Sequence, residues 1–246
     1  MNIEYEIKYH QIEENYWWFQ ARRDMVFRLV QALKLPSNAD ILEIGCSGGP
    51  LLQRLRSVGY TQLTGIDISE AGIAVAQQRG IPNVSCMDGT KLAFPDASFD
   101  LVVASDVLEH IQDEAQALQE WARVLRPGGR LLVFVPAFQF LWGKHDVVNQ
   151  HFRRYTANQL ATVVRGANLK VSRTSYWNVS LFFPTAVVRL FKHLLPKNNA
   201  PVTDDLFAVS PLLNKLLSGF IQGENRLLQA INAPIGVSVF TLASKA

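Results

Sequence analysis

The chain has 246 residues, with 24 basic and 21 acidic side chains and a formal net charge of +3. Apolar residues make up 48% and charged residues 18%, which excludes an intrinsically disordered chain. The charge is too mild to mark a nucleic-acid partner, and the two cysteines, Cys46 and Cys86, lack metal-type spacing, so neither a disulfide framework nor a metal site is expected.

The opening stretch, residues 1–15, is charged and lacks an apolar centre, so no signal peptide is expected there. With so few cysteines, a reducing, cytoplasmic compartment fits. An aromatic cluster, Tyr16-Trp17-Trp18-Phe19, precedes a helix expected from Arg22 to Leu35. From Asp40 to Val135 short β-rich runs alternate with helical patterns. The runs are Ile41–Ile44, Leu63–Ile66, Val84–Met87, Leu101–Ala104 and Leu131–Val135. Pro50 suits a first helical turn, Ser69 and Asp113 suit N-caps, and Pro127-Gly128-Gly129 should stop the helix that reaches Leu125. Such alternation predicts an α/β fold, a doubly wound parallel sheet with helices on both faces.

Beyond Val135 the pattern changes. A loop rich in aromatic and ionisable residues runs to Tyr155. Thr156 and Gln159 form a capping box for a helix to about Arg165, and Leu169–Trp177 alternates like a strand. Residues 178–232 read as helical and unusually apolar, and Gly236–Ala243 as a last strand. That makes seven strands, the last two expected to pair antiparallel around a helical insert. The expected division is a helical cap (1–35), a core (36–177), a helical lid (178–234) and a final core strand (235–246). No run of about 20 apolar residues is present, so no membrane span is expected.

The turn after the first strand reads Glu43-Ile44-Gly45-Cys46-Ser47-Gly48-Gly49. A turn poor in side chains brings backbone close to a ligand, and the helix behind it offers N–H groups to an anion. The dinucleotide spacing G-x-G-x-x-G falls on Gly45, Ser47 and Pro50 and fails at two of three places. The tighter G-x-G-x-G falls on Gly45, Ser47 and Gly49 and matches at two.

With this loop, three further stretches carry a resemblance. They are Thr64-Gly65-Ile66-Asp67-Ile68-Ser69, then Cys86-Met87-Asp88-Gly89 with its return to Asp100, and the stretch from Leu101 to His110 with Arg126-Pro127-Gly128-Gly129. Together they resemble the class I S-adenosylmethionine-dependent methyltransferases, in particular small-molecule and quinone-biosynthesis members, over about residues 40–135. The resemblance implies a Rossmann-like, mostly parallel sheet and S-adenosylmethionine as cofactor. Ser47 departs from it, since the family usually has Gly there.

On that resemblance Gly45, Ser47 and Gly49 face the amino-acid end of the cofactor, and Glu43 orders the loop or reaches the cofactor's amino group. Asp67 accepts the ribose hydroxyls, Ile68 packs on the adenine, and Asp88 and Gly89 meet its edge. Ser105 and Asp106 lie near the transferred methyl. Each has a plainer alternative: a ligand-free turn for the glycines, a helix cap for Asp67, a core position for Ile68 and a turn aspartate for Asp88. Candidate bases are His151 and His145, because imidazole titrates near neutral pH. Arg153, Arg154 and Tyr155 either bind substrate or pin the loop through Asp146. Trp17 and Trp18, with Arg22 and Arg23, either cover the substrate or pack the first helix on the sheet. His110 is expected to cap or pack rather than act as a base.

The insert pairs apolar faces with basic residues, including Arg189, Lys192 and Lys197. It reads as a packed lid or as a surface for peripheral membrane contact, and both favour an apolar or lipid-linked acceptor. The expected function is in-line methyl transfer to a small acceptor. A non-catalytic cofactor-binding or assembly protein and an NAD-dependent oxidoreductase are the rivals.

Overall fold

Strands rich in branched apolar residues and helices with one apolar face assemble into a single mixed sheet covered on both sides. The computed structural model describes residues 14–194 and 209–246; of the helix ending at Leu194, the side chains of 192–194 are not described. The expectation of a leaderless first segment, and Lys197 of the insert, fall largely or wholly outside the described residues.

The strands are β1 (Asp40–Ile44), β2 (Gln62–Asp67), β3 (Val84–Cys86), β4 (Phe99–Ser105), β5 (Leu125–Pro136), β6 (Leu169–Trp177) and β7 (Ser238–Lys245). They lie in the order β3-β2-β1-β4-β5-β7-β6. Strand β7 runs antiparallel to both its neighbours, and the remaining pairs are parallel. The expected doubly wound sheet with an antiparallel last strand is observed. The helices are α1 (Trp17–Ala32), α2 (Pro50–Ser57), α3 (Glu70–Gln78), α4 (Glu114–Val124), α5 (Lys144–Val148), α6 (Ala157–Gly166), α7 (Phe182–Leu194) and α8 (Pro211–Leu228).

Local signals placed most of these boundaries. Ser69 Oγ accepts from the Gly72 N–H at 2.9 Å, and Asp113 Oδ1 accepts from the Gln116 N–H at 3.0 Å. Thr156 and Gln159 form the reciprocal capping box at the start of α6. Most strand and helix ends shift by one to three residues from expectation, and two boundaries differ by more. Helix α1 begins at Trp17, five residues before Arg22, because its aromatic first turn is held by packing: Trp18 meets Trp177 edge to face at 5.2 Å. Strand β5 begins at Leu125, where α4 stops, so Pro127-Gly128-Gly129 lies inside an irregular strand start rather than a loop. The residue before a proline disfavours helix, which ends α4 early.

Alternation along the strands feeds two cores. In β4, Val102 and Ala104 join Leu118 and Trp121 of α4 and Leu160 and Val164 of α6. Leu101 and Val103 face the other side, with Met25 and Leu29 of α1, Leu52 and Leu55 of α2, and Ile221 and Leu228 of α8. A buried polar seam joins the helices of that second side. Asp24 accepts from Arg28 Nε at 2.7 Å, Arg54 Nη2 at 2.8 Å and Asn225 Nδ2 at 3.0 Å. Asn225 also accepts from Trp177 Nε1 at 2.7 Å. No helix among the described residues is long and apolar enough to cross a membrane.

Candidate active site

Strand β1 lies between β2 and β4, so the chain order reverses there and the carboxyl ends of these strands open a crevice. In open α/β sheets this is where ligands bind. The loop from β1 to α2 lines it. Gly45, Ser47 and Gly49 take φ of +73°, +48° and +73°, left-handed at every second residue. Side chains at Gly45 and Gly49 would also run into Val107 and Ile81. Ser47 holds the same backbone at a steric cost that glycine avoids, which explains why glycine suits that place. Glu43 is buried on β1, level with Gly65 and Val103 of the neighbouring strands.

Asp67 ends β2 and joins this loop to the next turn. Its Oδ2 accepts from the Ser47 N–H at 2.8 Å and its Oδ1 from the Ser69 N–H at 2.8 Å. A carboxylate at this strand end accepts from ligand hydroxyls as well as from backbone N–H groups. The cap of α3 is Ser69 itself, not Asp67. Ile68 is 77% exposed, so the core alternative fails: a large apolar side chain stands in solvent beside Asp67. Asp88 Oδ1 accepts from both the N–H and the Oγ1 of Thr90 at 2.8 Å, as a turn aspartate does. The Gly89 carbonyl accepts from the buried Trp121 Nε1 at 2.8 Å, which fixes that corner to α4.

At the end of β4, Asp106 takes a left-handed φ of +57°. Its carboxylate accepts from Arg22 Nη1 at 2.6 and 2.7 Å, and from Ser105 Oγ at 3.3 Å. Arg22 is buried, donates from Nη2 to Ser238 Oγ at 2.6 Å, and lies 4.6 Å from the Trp177 ring centroid and 5.8 Å from that of Trp18. Helix α1 therefore reaches the crevice through Arg22. Trp17 and Trp18 lie partly buried along its first turn, and the Trp17 N–H donates to Asn214 of α8 at 2.8 Å.

The loop after β5 is organised by Asp146, which is fully buried on α5. It accepts from His151 Nδ1 at 2.9 Å, Arg154 Nε at 2.7 Å, Arg154 Nη2 at 3.0 Å and the Gly143 N–H at 2.7 Å. Burial alone would raise its pKa, but the His151 and Arg154 hydrogen bonds outweigh it and hold the carboxyl well below the usual range. Arg154 Nη1 donates to the Ala137 carbonyl at 3.1 Å, so each guanidinium nitrogen serves the loop. Arg153 and Tyr155 meet on Glu114 at the start of α4. Arg153 Nη1 lies 3.2 Å from Glu114 Oε2, and the Tyr155 hydroxyl donates to the same oxygen at 2.5 Å. Burial and Glu114 together push the Tyr155 hydroxyl far up, so it stays protonated. His145 lies beside Asn149, with its ring centroid 5.8 Å from that of His151.

Two residues that the sequence placed only as landmarks belong to this loop's surroundings. Glu109 and His110 form a short 3-10 turn after β4, and the Glu109 carbonyl accepts from the Phe152 N–H at 2.8 Å. The His110 ring packs edge to face on His151, 4.6 Å between centroids. Burial and His151 bring the His110 imidazole down to about 4. Burial and the nearby Asp106 push the Glu109 carboxyl well above the usual range. Adjacent Glu and His were visible in the sequence. Their meeting with His151, 41 positions away, was not.

Residues 42–133 match the family described as a methyltransferase domain. A Mycolicibacterium smegmatis protein named "Probable S-adenosylmethionine-dependent methyltransferase" is 36% identical over 167 residues, 66% of this chain and 62% of its own length. A ubiquinone biosynthesis O-methyltransferase of Paracidovorax citrulli is 30% identical over 154 residues, 54% of this chain and 64% of its own. The chain thus spans about three fifths of the length of these relatives. Among solved structures, the [4+2]-cyclase SpnF aligns with a TM-score of 0.60 at 24% identity, covering 90% of this chain and 80% of that one, a likeness of fold alone. Residues 42–133 thus match a methyltransferase domain, and the relatives and the sheet order support a class I S-adenosylmethionine-dependent methyltransferase.

Proposed function

We propose that the chain binds S-adenosylmethionine in the crevice at β1, β2 and β4 and methylates a small, apolar or lipid-linked acceptor. The observation that carries the cofactor is the left-handed Gly45-Ser47-Gly49 loop tied to Asp67, with the exposed Ile68 beside it. The residues fit: Asp67 offers a carboxylate to ribose hydroxyls, Ile68 an apolar face to a ring, and Asp88 and Gly89 a polar corner. Glu43 and Ser105 complete the walls. Bound there, the cofactor supplies an electrophilic methyl group on a sulfonium.

The chain's own residues then align the acceptor and exclude water. Asp106, fixed by Arg22, stands at the methyl-transfer end. His151 takes the acceptor's proton where there is one. Its Nδ1 is held by Asp146, which leaves Nε2 for the proton. His145 is the second candidate. Arg153, Arg154 and Tyr155 position this loop, and Trp17 and Trp18 line the acceptor side. The acceptor class is supported by exposed apolar side chains on α7 and α8, among them Phe183, Leu190, Leu216 and Phe220. With Lys215 exposed on α8, that surface suits peripheral contact with lipid headgroups. The named O-methyltransferase of ubiquinone biosynthesis fits such an acceptor.

The [4+2]-cyclase on the same fold keeps a second reading in play, cofactor binding without methyl transfer. Calorimetric titration of the purified chain with S-adenosylmethionine, S-adenosylhomocysteine and NAD separates the readings. Binding of both sulfur nucleosides and methylation of an apolar acceptor is the expected result. Binding of NAD alone overturns the proposal, and binding without any turnover favours the second reading.

A further inference from the structure

Glu109, His110 and His151 each present one ligand-type atom, and the three atoms lie within 4.8 Å of one another. All three side chains are buried or nearly so, so this is no surface coincidence of charge. We propose that they form a binding site for a divalent first-row transition cation, of the zinc, manganese or iron class.

Three observations support it independently. First, Glu109 is 1% exposed, and neither of its carboxylate oxygens has a hydrogen-bond partner among the described residues. A buried carboxyl without a partner is costly, and native chains usually explain it with a ligand or an ion. Second, the His151 imidazole is oriented from behind. Asp146 accepts from His151 Nδ1 at 2.9 Å, and the His110 ring packs edge to face on His151, 4.6 Å between centroids. His151 keeps Nε2 for a ligand bond. This arrangement, a carboxylate holding the far nitrogen, is what metal-bound histidines show. Third, two imidazoles and one carboxylate select borderline transition ions over magnesium or calcium, which favour all-oxygen shells.

The spacing is looser than in a loaded site. Bonds of 2.0–2.1 Å hold tetrahedral ligands about 3.3 Å apart, so binding draws the three side chains together. Three protein ligands leave coordination positions open, which suits a catalytic rather than a structural ion. Resting on the methyltransferase reading, an acceptor hydroxyl is the group for such a position. His151 would then serve as ligand in the loaded protein and as base only in the metal-free one. The expectation from cysteine spacing was a metal-free chain; imidazole and carboxylate from two distant segments supply what the cysteines do not.

The test uses the full chain, stripped with chelator and titrated with Zn²⁺ or Co²⁺ alone, without any nucleoside. The expected result is one equivalent per chain, a visible Co²⁺ spectrum of a histidine-ligated ion and a raised melting temperature on loading. Glu109→Gln and His110→Gln should each weaken binding at least tenfold. In the metal-free state Glu109→Leu should melt at the same temperature or higher, because it replaces an unpartnered buried carboxyl with an apolar side chain. A purely structural Glu109 would not give that split. Absence of stoichiometric binding, or binding unchanged within twofold in the double variant, overturns the site. Because no nucleoside is present, this outcome is independent of whether the chain methylates anything.

Discussion

The two halves of the crevice are built by opposite means. At the ends of β1 and β2 the site is backbone: three left-handed residues, a carboxylate engaged by two N–H groups, and an apolar side chain standing in solvent. At the ends of β4 and β5 it is side chain, with Arg22 on Asp106, and His151 and Arg154 on the buried Asp146. The first half tolerates change in side chains but not in chain geometry. The second is a set of interlocked charges, where removing one partner strands another. Ligand affinity should therefore concentrate in the first half, and fold stability and proton handling in the second.

The sharpest way to break this contrast is Asp146→Ala. It leaves the buried Arg154 guanidinium without its main acceptor and should cost about 3–5 kcal/mol, read by urea denaturation. A loss below about 1 kcal/mol would mean that the network is worth no more than a surface pair. Next is Asp67→Ala, expected to weaken S-adenosylmethionine binding more than tenfold while the melting temperature falls only slightly. Unchanged affinity in a folded variant would move the ribose site elsewhere. His151→Ala should lower turnover in metal-free buffer while cofactor affinity stays the same; equal turnover removes it as a base.

A pH series reaches the seam outside the crevice. Burial raises the Asp24 pKa, but hydrogen bonds from Arg28, Asn225 and Arg54 win and bring it below the usual carboxylate range. A depressed carboxylate pKa contributes stability that is fully present above about 4 and is lost as pH falls through the folded-state value. Asp24→Asn should therefore lower stability at neutral pH and flatten the loss below pH 4, measured by denaturation at stepped pH. An unaltered acid slope would assign that loss to other carboxylates. The smallest effect is Ser47→Gly, which relieves a left-handed serine and should stabilise by about 0.5–1 kcal/mol without weakening the cofactor. A weaker complex would show that the serine side chain itself takes part.

What the sequence revealed follows from the range of the signals. The strands, the Ser69 and Asp113 caps and the Thr156 capping box depend on neighbours within a few positions, and they appear where expected. The start of α1 does not, because Trp18 is held by Trp177, far along the chain. In the site, the glycine loop and Asp67 were legible since turn chemistry is local. Asp146 was visible as an acid among arginines, but its burial was not. The union of Arg22 with Asp106, and of Glu109 and His110 with His151, depends on tertiary packing that no periodicity encodes.

The position of β7 has a consequence for biosynthesis. Among the described residues β6 pairs only with β7, and about sixty residues separate the end of one from the start of the other. At ~5–20 residues per second a ribosome needs roughly 3–12 s to make that interval. Throughout it β5 has one edge unpaired and β6 has no strand partner. Such edges recruit other strands. Protection of nascent chains over those seconds, by a chaperone or by early packing of α6 against β6, sets how much of this protein reaches its native sheet.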